Sequence, residues 1–247
     1  MITQIYTMQS PDEALGVVEA GADRVGVTPA ARGLPGEIDT AAARAIVEAV
    51  GERATTVALT VERDPGAIVA MAQAVLPDVL HLCPEPGALT PDAVARLREC
   101  LPPVKIMQAI AVDGPTSVDR AVAFEPVVDE LILDTDSSDV EGIGASGAVH
   151  DWAVSAEIVR RVRVPVLLAG GLGPHNVAAA IEAVRPHGVD SLTHTNRPAP
   201  GGGFCKDLDT VHRFVDAAHR AGASAGSAAR GVEGRRAKAI RSDVSAR

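Results

Sequence analysis

The chain has 247 residues, a length that suits one α/β barrel; two small domains are also permitted, and one domain is the simpler reading. Apolar residues make up 47% of it and aromatic ones 2%, so its core must be built from Val, Leu, Ile and Ala, as in a parallel sheet buried on both faces. With 23 basic against 32 acidic side chains the formal charge is −9, which speaks against a nucleic-acid surface and means that an anionic ligand needs a local positive site.

Cys83, Cys100 and Cys205 lie far apart, with no Cys-x-x-Cys and no Cys/His cluster, so neither a disulfide frame nor a zinc site is expected. Residues 1–25 hold no basic segment leading into an apolar run, and no window approaches 18 uninterrupted apolar residues. The expectation is a protein of the reducing cytoplasm with no membrane partner, no metal and no cofactor.

Short β-branched runs alternate with longer Ala-rich stretches of helical period. In chain order the pattern predicts a strand at Ile2–Tyr6 and a helix at Pro11–Ala20, then Arg24–Val27 and Thr40–Val50, Thr55–Leu59 and Pro65–Val75, Val79–Leu82 and Pro91–Cys100. The second half continues with Val104–Ala111 and Ser117–Phe124, Glu130–Asp134 and Ser155–Arg161, Val166–Ala169 and Asn176–Val184, Val189–Thr193 and Leu208–Ala221. Ser10-Pro11, Asp64-Pro65 and Thr90-Pro91 each set a capping side chain before a proline, whose missing N–H is harmless in a first turn. Gly21, Gly51 and Gly222 read as C-terminal stops. Eight strand–helix units make a closed (β/α)8 TIM barrel over residues 1–222; an open doubly wound sheet is the alternative, weakened by the lack of a GxGxxG turn after the first strand. Residues 223–247, Ala/Gly/Ser-rich and then basic, read as a disordered tail, with a nucleic-acid arm as the sharper alternative.

In such a barrel the chemistry sits in the loops after the strands, and phosphate gathers at the last two strands. Leu167-Leu168-Ala169-Gly170-Gly171-Leu172-Gly173-Pro174-His175-Asn176-Val177 ends a buried strand in two glycines and opens a helix. Bare glycines let backbone N–H groups reach an anion, and a helix N-terminus adds positive potential; the plainer reading is a connecting turn. Asp134 stands where the apolar run Leu131-Ile132-Leu133 meets the rim, so partial desolvation makes it a proton donor near neutral pH, or else it caps the next loop. The run Gly142-Ile143-Gly144-Ala145-Ser146-Gly147 is either a phosphate-facing loop or an ordinary one.

Together these segments resemble phosphoribosylanthranilate isomerase, the tryptophan-pathway enzyme that turns an N-glycosidic aminoaldose phosphate into an aminoketose phosphate. The resemblance runs from about Ala20 to Phe214 and rests on Ala20-Gly21-Ala22-Asp23-Arg24-Val25-Gly26, Leu131 to Thr135, Gly144 to Gly147, Asp151-Trp152, Leu168 to Val177, Gly188-Val189-Asp190 and Lys206-Asp207. It implies that Asp134 is the general acid and that Gly147, Gly170 and Gly171, with Thr193 and Thr195 after the eighth strand, hold the phosphate. It also makes Arg32 the nearest candidate for the arginine on the substrate carboxylate, unless it is a solvated surface residue.

Three departures rebuild the pocket. The family's K-I-C-G, whose cysteine is the general base, is written Gln4-Ile5-Tyr6-Thr7; its QLHG is His81-Leu82-Cys83-Pro84; its SSG-x-E is Thr193-His194-Thr195-Asn196. A phenol with a reference pKa near 10 is a poor base at neutral pH, so Tyr6 suits a hydrogen-bond donor and His81 or His194 the base, unless those histidines are packing or rim residues. The expected function is an aldose–ketose isomerase acting on a small phosphorylated sugar derivative, as monomer or homodimer and without nucleic acid. The alternatives are an isomerase, epimerase or lyase for another phosphosugar, and a binding protein that has lost its base.

Overall fold

The computed structural model describes residues 1–135, 142–144 and 149–225. Its strands are β1 (Ile2–Tyr6), β2 (Arg24–Val27), β3 (Thr55–Thr60), β4 (Val79–Leu82), β5 (Lys105–Ala111), β6 (Glu130–Asp134), β7 (Val166–Leu168) and β8 (Gly188–Ser191). All pair parallel in sequence order, and β1 pairs back onto β8 from Ile2↔Gly188 to Ile5↔Ser191. That last pairing closes the barrel and excludes the open sheet.

The helices are α1 (Pro11–Glu19), α2 (Thr40–Val50), α3 (Pro65–Val75), α4 (Pro91–Cys100), α5 (Thr116–Phe124), α6 (Trp152–Arg161), α7 (Val177–Val184) and α8, residues 208–225. Ser10, Asp64 and Thr90 cap α1, α3 and α4 by accepting from the N–H groups of Glu13, Ala67 and Ala93, each with its proline in the first turn. Alternate strand residues face two cores. Ile5, Val25, Leu80, Ile106, Leu131, Leu133 and Val189 pack outward against the helices. Tyr6, Val57, Val79, Met107, Ile132 and Leu167 fill the barrel itself. At its base Arg24 and Glu130 form a buried bidentate pair, 2.6 and 3.0 Å, linking β2 to β6.

Aspartates just before the strands repeat one device: Asp23 accepts from the main chain and hydroxyl of Thr3, and Asp78 does the same for Thr56. Each satisfies a buried donor at a strand's start and fixes the stagger of its neighbour.

Two expectations need correction, and one element is new. β8 stops at Ser191, because Thr193–Thr195 turn into a 3-10 helix. The Pro/Gly-rich stretch that follows holds a two-stranded hairpin, β9 (Asn196–Pro198) against β10 (Phe204–Lys206). Gly222 is not a stop: α8 runs on to residue 225, and a Cβ at Gly222 would lie 2.6 Å from Met1 Cβ, so glycine there admits the chain's first residue. The remainder of the expected tail, 226–247, lies outside the described residues, as does the Gly147 assigned to phosphate.

Candidate active site

Two cavities meet at the C-terminal ends of the strands. The larger, about 570 Å³ of empty space partly open to solvent, is lined by apolar groups such as Leu34, Leu59, Val61, Ile132 and Ile143, with Tyr6, His81, Cys83, Asp134 and Asp190. The smaller, about 290 Å³ of empty space that is also partly open to solvent, is lined by Gly170, Gly171, Leu172, Thr193 and His194. Asp134, Asp190 and Leu192 line both. An apolar chamber thus opens onto a small one walled by glycine main chain, with carboxyl groups at the junction.

Asp134 is the last residue of β6, and an inward parity places its carboxyl on the barrel axis side. Burial pushes its pKa up to about 7, opposed by the Thr135 N–H donating to Oδ1 at 2.7 Å. Gly144 is folded over it: with φ +90°, its Cα approaches so closely that a Cβ would fall 2.0 Å from Asp134 Oδ2. The glycine is therefore part of the lid on the carboxyl, an arrangement that any side chain would break.

Tyr6 ends β1 and is 3% exposed; its hydroxyl lies 3.0 Å from His81 Nδ1 on β4. Two of the departures noted in sequence therefore touch one another. Burial drives the Tyr6 phenol well above its ordinary pKa and pulls His81 down to about 3, so both are neutral across the physiological range. His81 Nε2 is buried without a hydrogen-bond partner among the described residues. Space for the phenol comes from Gly26 on β2, where a Cβ would sit 2.1 Å from the ring. Cys83, in the same departure as His81, donates from Sγ to the Ile143 carbonyl at 3.2 Å, and burial raises its pKa to about 12, so it is no ready thiolate.

At the small cavity Gly170 and Gly171 have φ +82° and +62°, conformations that glycine adopts freely. Asn176 braces their turn, donating to the Gly171 carbonyl at 2.9 Å and accepting from the Gly173 N–H at 2.8 Å. Thr193 and His194 reach the same cavity, and His194 stacks edge-on against His175 with ring centroids 5.2 Å apart. Thr195 does not reach it: the residue is fully buried and its hydroxyl donates to the Leu192 carbonyl at 3.0 Å. Arg32 is likewise outside both linings, pairing with Glu62 at 2.6 Å on an exposed loop that Glu37 organises by accepting from three successive N–H groups.

Three functional candidates escaped sequence reasoning. Asp190 faces the cavity from β8, takes a 3.0 Å hydrogen bond from Gln4 Nε2, and burial raises its pKa to about 8. Its signal was an acidic residue at inward parity in a buried strand. His150 bridges Thr135 Oγ1 (3.3 Å) and Ser155 Oγ (2.8 Å) behind Gly170, and nothing in its local sequence announced it. Lys206 was legible only as part of a motif, without a role.

A glycine-walled cavity beside a buried carboxyl, at the C-terminal mouth of an eightfold barrel, defines the class: a barrel enzyme that handles a phosphorylated small molecule. Comparison with known proteins narrows it. The profile of N-(5'-phosphoribosyl)anthranilate (PRA) isomerase matches residues 3–193. A curated N-(5'-phosphoribosyl)anthranilate isomerase of Methanocella arvoryzae is 33% identical over 207 residues, 84% of this chain and 92% of its own. The one of Haloferax volcanii is 37% identical over 223 residues, 89% and 95% of the two chains. Among solved structures, phosphoribosyl anthranilate isomerase from Thermotoga maritima superposes with a TM-score of 0.73 at 26% identity, covering 89% of this chain and 99% of that one. A PRA isomerase in complex with reduced 1-(o-carboxyphenylamino)-1-deoxyribulose 5-phosphate gives 0.71 at 26% identity, with the same coverage. The chain belongs to the phosphoribosylanthranilate isomerase family, and with it to the aldose–ketose isomerases, the intramolecular oxidoreductases that act on phosphorylated sugar derivatives.

Proposed function

We propose that the chain isomerises a phosphorylated N-substituted aminoaldose of the phosphoribosylanthranilate type, with Asp134 as general acid and the Tyr6–His81 pair in the place of the base. The observation that carries this reading is the Asp134 carboxyl, protonated near neutral pH at the junction of the two cavities. Phosphate in the small cavity, against Gly170, Gly171 and Thr193, sets the sugar over Asp134, which protonates the ring oxygen and opens the ring. A proton must then leave the adjacent sugar carbon. Tyr6 takes it as its own hydroxyl proton passes to His81 Nδ1, 3.0 Å away, leaving a neutral phenol and an imidazolium. Because burial holds His81 near 3, that relay is uphill, and the step is slow.

The test is a fluorescence assay of purified protein on phosphoribosylanthranilate. Wild type should turn over roughly 10²–10⁴-fold more slowly than an enzyme with an intact base, Asp134→Asn should be slower still, and Tyr6→Cys faster. Ordinary enzyme rates unaffected by Asp134→Asn would sink both assignments. A second reading, a phosphosugar whose other half is not anthranilate, is favoured by the pairing of Arg32 with Glu62 outside both linings. Rescue of a tryptophan auxotroph by the wild-type chain would reject it.

Three free cysteines support a reducing, cytoplasmic compartment. The net charge of −9 supports a small-molecule partner over nucleic acid.

A further inference from the structure

Lys206, the last residue of β10, is 3% exposed. An ammonium has three N–H donors, and here three acceptors take them: the Tyr6 carbonyl, the Leu192 carbonyl at 3.4 Å and Asn196 Oδ1 at 2.5 Å. They come from the end of β1, the start of the turn after β8, and the first residue of β9. Its main-chain N–H is held by Glu13 Oε1 of α1 at 2.7 Å, and the Phe204 ring lies 5.7 Å from Nζ. Burying an ammonium costs several kcal/mol unless charge and hydrogen bonds compensate it. Asp190, whose charge acts on Nζ, lines the small cavity together with Asp134, and both, when ionised, oppose an anion there.

We propose that Lys206 is a positioning residue of the active site: its ammonium ties the strand end that carries Tyr6 to the turn Thr193–Thr195, and supplies the counter-charge for an anion bound at that turn. The proposal rests on reading the small cavity as the phosphate site. The groups facing Nζ are Glu13 from α1, Asp190 from β8 and Cys205 from β10, all of which favour its charge, whereas burial opposes it and brings its pKa down to about 7. Above that pH a neutral amine keeps two N–H donors for three acceptors, and the turn beside the cavity loses its counter-charge.

Sulfate is the probe, because it remains a dianion across the range where phosphate titrates. Calorimetric titration of the full chain between pH 5.5 and 8.5 should show wild-type affinity falling as pH rises through about 7. At pH 6, Lys206→Met should bind roughly tenfold more weakly, the scale of removing one partly screened charge from beside the anion. Lys206→Arg keeps its charge, so its affinity should fall less with pH, the remaining decline belonging to Asp134 and Asp190. A folded Lys206→Met that binds sulfate like wild type overturns the proposal, as does a Lys206→Arg curve parallel to wild type. If neither variant folds, Asn196→Ala, which removes one acceptor and leaves the lysine, decides: weaker sulfate binding with a smaller pH dependence supports the role, and an unchanged titration overturns it. A wild type that binds no sulfate at any pH removes the phosphate-site reading itself, whereas sulfate binding indifferent to residue 206 overturns only this inference.

Discussion

Asp134 and Asp190 have their pKa values raised by the same cause, removal from water, and this ties activity and stability to pH in a definite direction. As a general acid Asp134 must carry its proton, so kcat should fall as pH rises through about 7; a pH–rate profile that rises instead would exclude it from that role. Both carboxyls are protonated in the folded chain where the unfolded chain, at an ordinary value of 3.8, has lost the proton. Their contribution is therefore fully favourable below about 3.8 and is lost as pH climbs to about 8. Asp190→Asn keeps an oxygen for Gln4 and should raise the melting temperature at pH 8.5 while leaving it nearly unchanged at pH 4, readable by scanning calorimetry. Gly144→Ala places a methyl where the Asp134 carboxyl lies and should lower kcat by about 10²-fold, the scale of a displacement of about 1 Å, with little change in KM for the phosphosugar.

Between elements, the informative contact is that of β1 with β2 and β4. The Tyr6 ring occupies the space above Gly26 and reaches His81, so the aromatic ring, the glycine and the histidine form one packing unit. Gly26→Ala should destabilise the wild-type barrel by about 1–3 kcal/mol, as overpacking does, and cost much less in a Tyr6→Cys background. Denaturant melts of the four proteins in that cycle measure the coupling; additive effects would show that the ring and the glycine do not share the site.

Across the molecule, Arg24 and Glu130 join opposite sides of the barrel interior beneath the site. Removing one partner leaves an uncompensated buried charge, so Arg24→Met should cost about 3–5 kcal/mol, while Arg24→Met with Glu130→Leu should recover most of it. A double variant as unstable as the single one, by urea denaturation, would show that the pair's shape and not its charge balance is what the core requires. The pair also lies below Tyr6, whose phenol Glu130 pushes up and Arg24 holds down, so the single variant should disturb the site as well.

Strands and helices were legible because their signals are local: alternation in β-branched runs, the proline caps at Ser10, Asp64 and Thr90, and the carboxyl of Asp134 at a strand's end. The glycine cavity was legible for the same reason, since Gly170-Gly171 and the next helix are contiguous in the chain. What the sequence could not supply was distance between residues far apart in it. That Tyr6 meets His81, 75 positions on, depends on the registers of β1 to β4; that Lys206 reaches Tyr6 and Leu192 depends on a hairpin that folds back over the barrel's seam. Thr195 and Arg32 fell outside the cavities because the turn after β8 and the loop after β2 aim their side chains elsewhere, one into the interior and one toward Glu62. Local backbone preference fixes which elements form, but the closure of β8 onto β1 decides which side chains share a cavity, and through burial sets the proton affinities on which the chemistry depends.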